Sequence, residues 1–375
     1  MKIGIVSIHS AHNYGSVLQA YALQESLKKY SDEVDMINYR PNYLDCQYSI
    51  FSIKVYKRYK GIINKILHFV WRLIMIPGRL KKYNKFEKFI KNNMNTTKKY
   101  LNYDELCKEK LNYDIVFVGS DQIWNTDITE GFDKTFYLGF LDDKSRRASY
   151  AASIGRKKLD EKYIELYKEY INKFDNISLR EKSSVPILQG VTDKKINVTL
   201  DPTLLLSKKE WTLLSNGSKL KLNDEKYIFV YILQDNKEFV KIVNAISEIL
   251  NLKVYSMSKK KRFKNEKIFP NAGPEDFLKL CNNSQFVITN SFHGTVFSLI
   301  FEKNNCIVPH LNTGGRMIDL MDDVGLSDRV ISEYTELNIN KILTNIDYYK
   351  VNKKLEKYIN ESLSYIKGAI INEKK

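Results

Sequence analysis

The chain has 375 residues, 43% hydrophobic and 12% aromatic, enough apolar matter for about two cored domains, which excludes a disordered polypeptide. Its net charge of +16 is uneven: Lys54–Lys99 hold 14 Lys or Arg against one acid, Glu87, so most of the excess sits in one segment. The four cysteines, Cys46, Cys107, Cys281 and Cys306, form no CxxC pair, which argues for a reducing cytoplasm and against a disulfide framework or a Cys-based zinc site.

The first apolar run, Ile3–Ile8, is six residues long and reads as a core strand rather than a leader. His9–Gly15 reads as a polar loop and Ser16–Lys29 as an amphipathic helix, so the chain starts on a βα unit. The loop has neither a GxGxxG nor a Walker pattern. Asn13 and Gly15 there either bring backbone N–H groups to a ligand or make a turn. A second strand is expected at 34–39.

The basic segment follows, a helical insert over 54–110 that contains the apolar run Ile66–Pro77. Such a stretch either lies on an anionic membrane surface or packs on its domain with a solvated Lys face. No helix-turn-helix, RRM or KH pattern accompanies it, so nucleic acid is not expected as a partner. No 18-residue uncharged apolar run occurs anywhere, so no transmembrane helix is expected.

Ile115–Val118 reads as a buried strand ending in Gly119-Ser120-Asp121-Gln122, with Trp124 beyond. Asp, Gln and Trp at a strand end suit a sugar, since polar groups bind hydroxyls and an indole stacks on a pyranose face. An Asp cap and a core Trp would read the same. A strand at 149–154, a helix at 159–174 and strands at 177–179 and 197–200 complete this half. Arg180 stands where a strand gives way to a helix start, placed either to grip a carboxylate or phosphate with two hydrogen bonds or to pair with Glu181.

Residues 207–226 read as a linker, with 208–224 polar and helical to loop-like. A second α/β block starts at Tyr227–Leu233, with a helix at 237–250, a strand at 253–256, a basic loop at 259–264 and a helix at 274–282. The stretch Phe286–Phe301, FVITNSFHGTVFSLIF, then reads as a buried strand, a tight turn and a helix resuming from Thr295. The turn holds Ser291, His293 and Gly294. In open α/β sheets ligands bind outside the carboxyl ends of strands, where helix N-termini attract anions. A histidine there can meet a phosphate or carboxylate and exchange a proton, or merely cap the helix. A strand at 306–309, the Gly-rich loop His310–Arg316, a helix at 317–324 and a last helix at 352–371 follow. Two blocks of βα units predict two doubly wound domains facing across a cleft: 1–206, and 227–340 after the linker, with a helical tail at 341–375. No His, Asp and Glu cluster shows metal-ligand spacing, so no metal is expected.

In order, IGIVSIHSAHNYGSVLQAYAL, YDIVFVGSDQIWN, SYAASIG, ISLREKSS, VTLDPTLLL and VITNSFHGTVFSLIF resemble the polysaccharide pyruvyl transferase family over roughly residues 1–335. The resemblance implies a GT-B-like fold of two Rossmann-like domains. It also implies transfer of a pyruvyl group from phosphoenolpyruvate (PEP) to a sugar of a cell-surface polysaccharide, usually as a ketal, with no cofactor. His293 matches the family's catalytic histidine, as general acid or phosphate contact, with Ser291 and Gly294 beside it. Arg180 matches an arginine implicated in PEP binding. Some members carry Arg two residues before the histidine, where this chain has Ser291, so the second anion-binding Arg is expected at Arg316 or within Lys259–Arg262. Asn13, Gly15, Asp121, Gln122 and Trp124 would face the acceptor sugar, with Asp121 as candidate base. Surface polysaccharides are often built on lipid-linked intermediates at the cytoplasmic membrane face, where the basic insert would hold the enzyme. Two rivals stay open: a glycosyltransferase of the same architecture using a nucleotide sugar, for which Glu275-Asp276 could grip a ribose, and a non-catalytic glycan- or membrane-binding protein.

Overall fold

The computed structural model describes residues 1–44, 62–234, 236–309 and 314–371, with the backbone alone at 62–75 and 337. Cys46, the start of the basic segment at 54–61 and His310 lie outside the described residues. The chain divides into two units, Met1–Leu205 with Ile359–Lys375, and Leu206–Tyr358.

The first unit runs β1 (Lys2–Val6), α1 (Tyr14–Lys28), β2 (Glu33–Met36), α2 (Ile62–Asn93), α3 (Tyr103–Glu109), β3 (Ile115–Val118), β4 (Arg146–Ser149), α4 (Ile164–Ile171), β5 (Ile177–Leu179), α5 (Val185–Gln189) and β6 (Ile196–Val198). The first four strands lie in the order β2-β1-β3-β4, all parallel, and β5 pairs with β6. Single bridges Ala148–Asn176 and Ala152–Leu179 tie β4 to β5. β3 is apolar throughout, and β1 from Ile3 to Val6, because both faces of a parallel sheet are covered. Strand order reverses between β1 and β3, so the loops after these two strands leave in opposite directions and open a crevice at their carboxyl ends.

The strand expected at 149–154 is displaced. β4 ends at Ser149, where the expected strand begins, because Ala151 turns to φ 47 and interrupts the ladder. Its first two residues are arginines, which do not read as a buried strand. Backbone carbonyls accept their N–H groups: Arg147 Nη2 donates to Leu141 O at 2.7 Å and Asp142 O at 3.0 Å. Arg146 Nη1 donates to Ala369 O at 3.1 Å and Ile370 O at 3.0 Å, at the end of the chain's last helix.

The second unit runs α6 (Lys208–Ser215), β7 (Tyr227–Tyr231), α7 (Lys237–Leu250), β8 (Lys253–Ser256), β9 (Glu266–Ile268), α8 (Pro274–Asn282), β10 (Phe286–Thr289), α9 (Phe292–Ile300), β11 (Asn304–Ile307), α10 (Gly315–Val324) and α11 (Glu336–Ile342). Its parallel sheet has the order β11-β10-β7-β8-β9, so the reversal, and the crevice, lie between β7 and β10. α7 shows why these helices form: Phe239, Ile242, Val243 and Ile246, spaced for one face, are all 0% exposed, and Asn236 accepts the Glu238 N–H as N-cap.

The division read from the sequence differs in two places. Residues 207–226 open with α6, started by a capping box between Ser207 and Glu210 and pinned by Trp211, which is fully buried edge-on to Phe297. The tail is α12 (Tyr348–Ile371), and its residues group with the second unit up to Tyr358 and with the first from Ile359. Tyr348 Oη donates to Lys303 O at 2.6 Å, while Tyr365 Oη donates to Ser149 O at 2.8 Å.

Candidate active site

In the first unit the crevice between β1 and β3 is bridged by one short hydrogen bond. Ser16 Oγ, in the first turn of α1, donates to Asp121 Oδ2 at 2.6 Å, just past β3. Asn13 caps α1: its Oδ1 accepts from Gly15 N at 2.9 Å and Ser16 N at 3.4 Å. The helix therefore starts at Tyr14, and Gly15 lies inside it rather than in the preceding loop. Asp121 sits at φ 68, a left-handed conformation that Asp tolerates better than most residues. Its side chain is 18% exposed. Gln122 Oε1 accepts from Asn125 Nδ2 at 2.6 Å, and a Cβ at Gly155 (φ +64) would fall on that oxygen.

Arg180 comes to the same place from the end of β5, and it makes the ion pair with Glu181 that its position allowed. Nη1 lies 2.8 Å from Asp201, Nε 3.3 Å from Glu181 and Nη2 3.7 Å from Asp121. The side chain is 3% exposed, as against 5% for Glu181 and 0% for Asp201. Burial alone would favour loss of its proton, but the carboxylates of Glu181, Asp201 and Asp121 outweigh that and hold the guanidinium charged. The guanidinium is thus paired with acids of its own unit, the second of the two readings its position offered. The acids are fixed in turn: Asp201 accepts from Thr203 Oγ1 at 2.7 Å and Ser120 Oγ at 3.3 Å, and Glu181 from Ser153 Oγ at 2.6 Å. Arg180 thus orders the acidic wall beside Asp121.

The expectation for Trp124 is corrected. It is 2% exposed, its indole N–H donates to Phe136 O at 2.9 Å, and Tyr137 stacks on it at an interplanar angle of 8°. Tyr137 covers that face in the structure. The indole belongs to an aromatic core with Phe132, Tyr167 and Phe174.

In the second unit His293 lies inside α9, at its second residue, rather than in a turn before a helix at Thr295. Ser291 is the N-cap, its Oγ accepting from Gly294 N at 3.5 Å, so both groups serve the helix start. Helix geometry offers no i−4 carbonyl to first-turn amides, which aim with the positive dipole end at the crevice between β10 and β7. Asn290 frames it: Oδ1 accepts from Leu233 N at 2.8 Å and Nδ2 donates to Gln234 O at 2.9 Å. His293 is 8% exposed and meets Phe292 edge-on at 5.4 Å. The Arg316 guanidinium lies 5.4 Å from the centroid of the same Phe292 ring. The structure therefore brings Arg316 and His293 to one aromatic side chain. The basic loop Lys259–Arg262 follows β8 on the same carboxyl edge, folded over Glu266, which accepts the N–H groups of Arg262 and Phe263.

Gly294 owes its identity to packing. A Cβ there would fall on Thr289 Oγ1 and stand 2.9 Å from Thr289 Cβ, and Thr289 is held by its own donation to Tyr231 O at 2.6 Å. Gly294→Ala is expected to cost about 1–3 kcal/mol in stability, read as a lower urea midpoint. An unchanged midpoint would mean that α9 slides freely on β10.

Asp276, weighed above for a ribose, is the N3 residue of α8. Its Oδ2 accepts from Gly273 N at 2.8 Å and its Oδ1 from Ser218 Oγ at 2.5 Å, so it is spent on the cap. Among the described residues no group of three or more His, Cys, Asp or Glu side chains is arranged to hold a metal ion, and no helix is long and apolar enough to cross a membrane. Ser16, Asp201 and Asn290 were missed by sequence reasoning. Their signals were their places inside the quoted motifs, at the ends of β strands or the start of a helix.

A family model of polysaccharide pyruvyl transferases matches residues 13–312. Among curated proteins no relative matches. Among solved structures, UDP-GlcNAc 2-epimerase from Neisseria meningitidis, bound to UDP-GlcNAc, is similar over 100% of both chains, at 11% identity and a TM-score of 0.51. The UDP-GlcNAc 2-epimerase from Methanocaldococcus jannaschii is similar at 14% identity over 96% of this chain and 93% of its own, with a TM-score of 0.45. An E. coli heptosyltransferase with ADP matches at 10% identity over 96% and 100%, with a TM-score of 0.42. The first of these likenesses shows a GT-B-like α/β fold and, at that identity, nothing of the chemistry.

Proposed function

The chain belongs to the polysaccharide pyruvyl transferase family, and from that premise we propose that this transferase moves the pyruvyl group of PEP onto a sugar of a cell-surface polysaccharide or its lipid-linked precursor, as a ketal. The observation that carries the donor half is the turn at the end of β10. His293 sits there in the first turn of α9, with Arg316 against the adjacent Phe292. PEP brings a phosphate and a carboxylate, and this turn offers a helix N-terminus, a guanidinium and a proton donor.

The reaction needs an acid and a base. His293 gives a proton to C3 of PEP, which becomes the methyl group and leaves C2 oxocarbenium-like. A sugar hydroxyl adds to C2, and its proton passes to the base, for which Asp121 is the candidate. A second hydroxyl of the same sugar then displaces phosphate at C2, and its proton leaves with the phosphate. The products are the pyruvate ketal and inorganic phosphate. Ser16, Asn13 and Gln122 would order the acceptor beside Asp121. Arg180 acts as a positioning residue for that wall rather than as a grip on PEP. The basic segment would keep the enzyme on the inner face of an anionic membrane, where lipid-linked sugars are built.

A thermal-shift panel of PEP, inorganic phosphate and UDP-, GDP- and CMP-sugars tests the donor. PEP is expected to raise the melting temperature, and Arg316→Ala to weaken PEP at least about tenfold, the loss of one charge-assisted contact. Unchanged affinity would remove Arg316 from the site. A shift with a nucleotide sugar and none with PEP would replace this reading with glycosyl transfer.

A further inference from the structure

Helix α2 carries much of the basic segment, and its described half has two faces. Lys81, Lys85, Lys88 and Lys91 recur at helical spacing and are exposed. On the opposite side Phe86, Phe89 and Ile90 are 0%, 1% and 3% exposed. The segment's one acid, Glu87, does not balance those lysines, because it is turned onto the first unit. Its Oε1 lies 2.9 Å from Arg40 Nη1 and 3.3 Å from His12 Nε2, and its Oε2 3.0 Å from the same Nη1. Burial draws the Glu87 carboxyl upward, but His12 and Arg40 outweigh it and hold it below its ordinary value of 4.5, so it is charged at neutral pH.

The inner face grips a loop that matters. Phe86 packs 5.1 Å from both His12 and Tyr14, Tyr83 meets His12 edge-on at 4.7 Å, and Lys82 lies over Tyr14 at 4.6 Å. His12 and Tyr14 flank Asn13, the cap of α1, and Ser16 two residues on is the donor to Asp121. The clasp therefore reaches the crevice of the first sheet in two steps.

We infer that the outer face of α2 is a docking surface for an anionic lipid bilayer, and that through Glu87 and Phe86 the docked helix holds the loop His9–Asn13 in place at the acceptor side. Charge complementarity selects the occupant: four exposed lysines at one helical spacing meet a sheet of negative headgroups side-on. Glu87 is a positioning residue, acting on Asn13 and Ser16 through His12. The loop's role in acceptor binding rests on the pyruvyl transfer reading. The lipid contact and the clasp do not.

The test uses the full chain with vesicles of phosphatidylcholine alone or enriched in phosphatidylglycerol, read by flotation and by hydrogen exchange at residues 9–16. Wild type is expected to float with the anionic vesicles, to be released by salt, and to exchange severalfold more slowly at 9–16 when bound. Changing Lys81, Lys85, Lys88 and Lys91 together to Gln is expected to abolish flotation without lowering the melting temperature. Glu87→Gln is expected to float but to lose the slowing, and Glu87→Asp to restore part of it. Soluble glycerol phosphate in place of vesicles is expected to leave exchange unchanged. Absence of flotation by wild type, equal flotation by the four-lysine variant, displacement by RNA in preference to lipid, or a bound chain with unaltered exchange at 9–16 would each overturn the inference. A protein that docks on vesicles as described and ignores PEP would refute the donor assignment and leave the docking surface standing.

Discussion

His293→Ala is expected to lower the rate of phosphate release from PEP by about 10²–10⁴-fold, the usual contribution of a positioned general acid. The assay is phosphate release in the presence of lipid-linked glycan extracted from the source cells, with PEP affinity measured separately by calorimetry. The reasoning starts from the strand. β10 is a four-residue apolar run at the switch point of the second sheet, so its carboxyl end must open on a crevice. Ser291 starts the helix at once, and the close approach allowed by Gly294 presses the first turn of α9 onto Thr289. His293 is thereby fixed in a short, capped turn with few ways to move. A group that acts in the transition state should lower turnover far more than it lowers PEP affinity. We expect PEP affinity to fall no more than about tenfold, because a general acid acts chiefly in the transition state and adds little to ground-state binding. A variant with full turnover would exclude His293 as the acid. A variant that loses PEP affinity and turnover in equal measure would make it a phosphate contact instead.

Arg180→Ala is expected to destabilise the first unit by about 3–5 kcal/mol, because it leaves Glu181 and Asp201 buried and Asp121 half-sheltered without their counter-charge. At about 2–4 °C per kcal/mol for a domain of this size, the melting temperature should drop by roughly 10 °C. The double change Arg180→Met with Glu181→Gln should recover part of the loss, since it removes one of the stranded charges with the cation. Differential scanning calorimetry checks both, and PEP titration on the milder Arg180→Lys protein separates the roles. A charged lysine cannot span three carboxylates, yet it would still attract an anion. Lowered stability with PEP affinity within about twofold would place Arg180 in the wall beside Asp121. Full stability with a collapse of PEP affinity would return it to the donor.

Much of the fold was legible in the sequence because local and global signals agreed. The runs at 115–118 and 286–289 are buried strands of β-favouring residues, the run at 253–256 is a short strand buried from Val254 on, and the helices at 237–250 and 274–282 carry their own caps, so their bounds stand as read. Boundaries failed where a side chain far away decides them. Arg146 and Arg147 do not look like a strand until the carbonyls of 369–370 and 141–142 are in reach. β9 is three residues long and too short to carry a period.

The candidate site divides in the same way. Sequence alone determined the family, the α/β class and the placing of His293 after a buried strand, since each is written in a contiguous stretch of residues. It also showed that most of the excess positive charge sits in one segment. Tertiary structure decided what the charged and aromatic side chains do there. Arg180 and Trp124 have the residue types of ligand grips, but packing commits one to three carboxylates and the other to the core. Ser16 and Asp121, 105 residues apart, meet only because β1 and β3 are neighbours. Glu87 faces inward only because Arg40 and His12 are there to receive it. A side chain's type and spacing say which chemistry it could perform. Its partners, drawn from distant parts of the chain, decide whether that chemistry is still available.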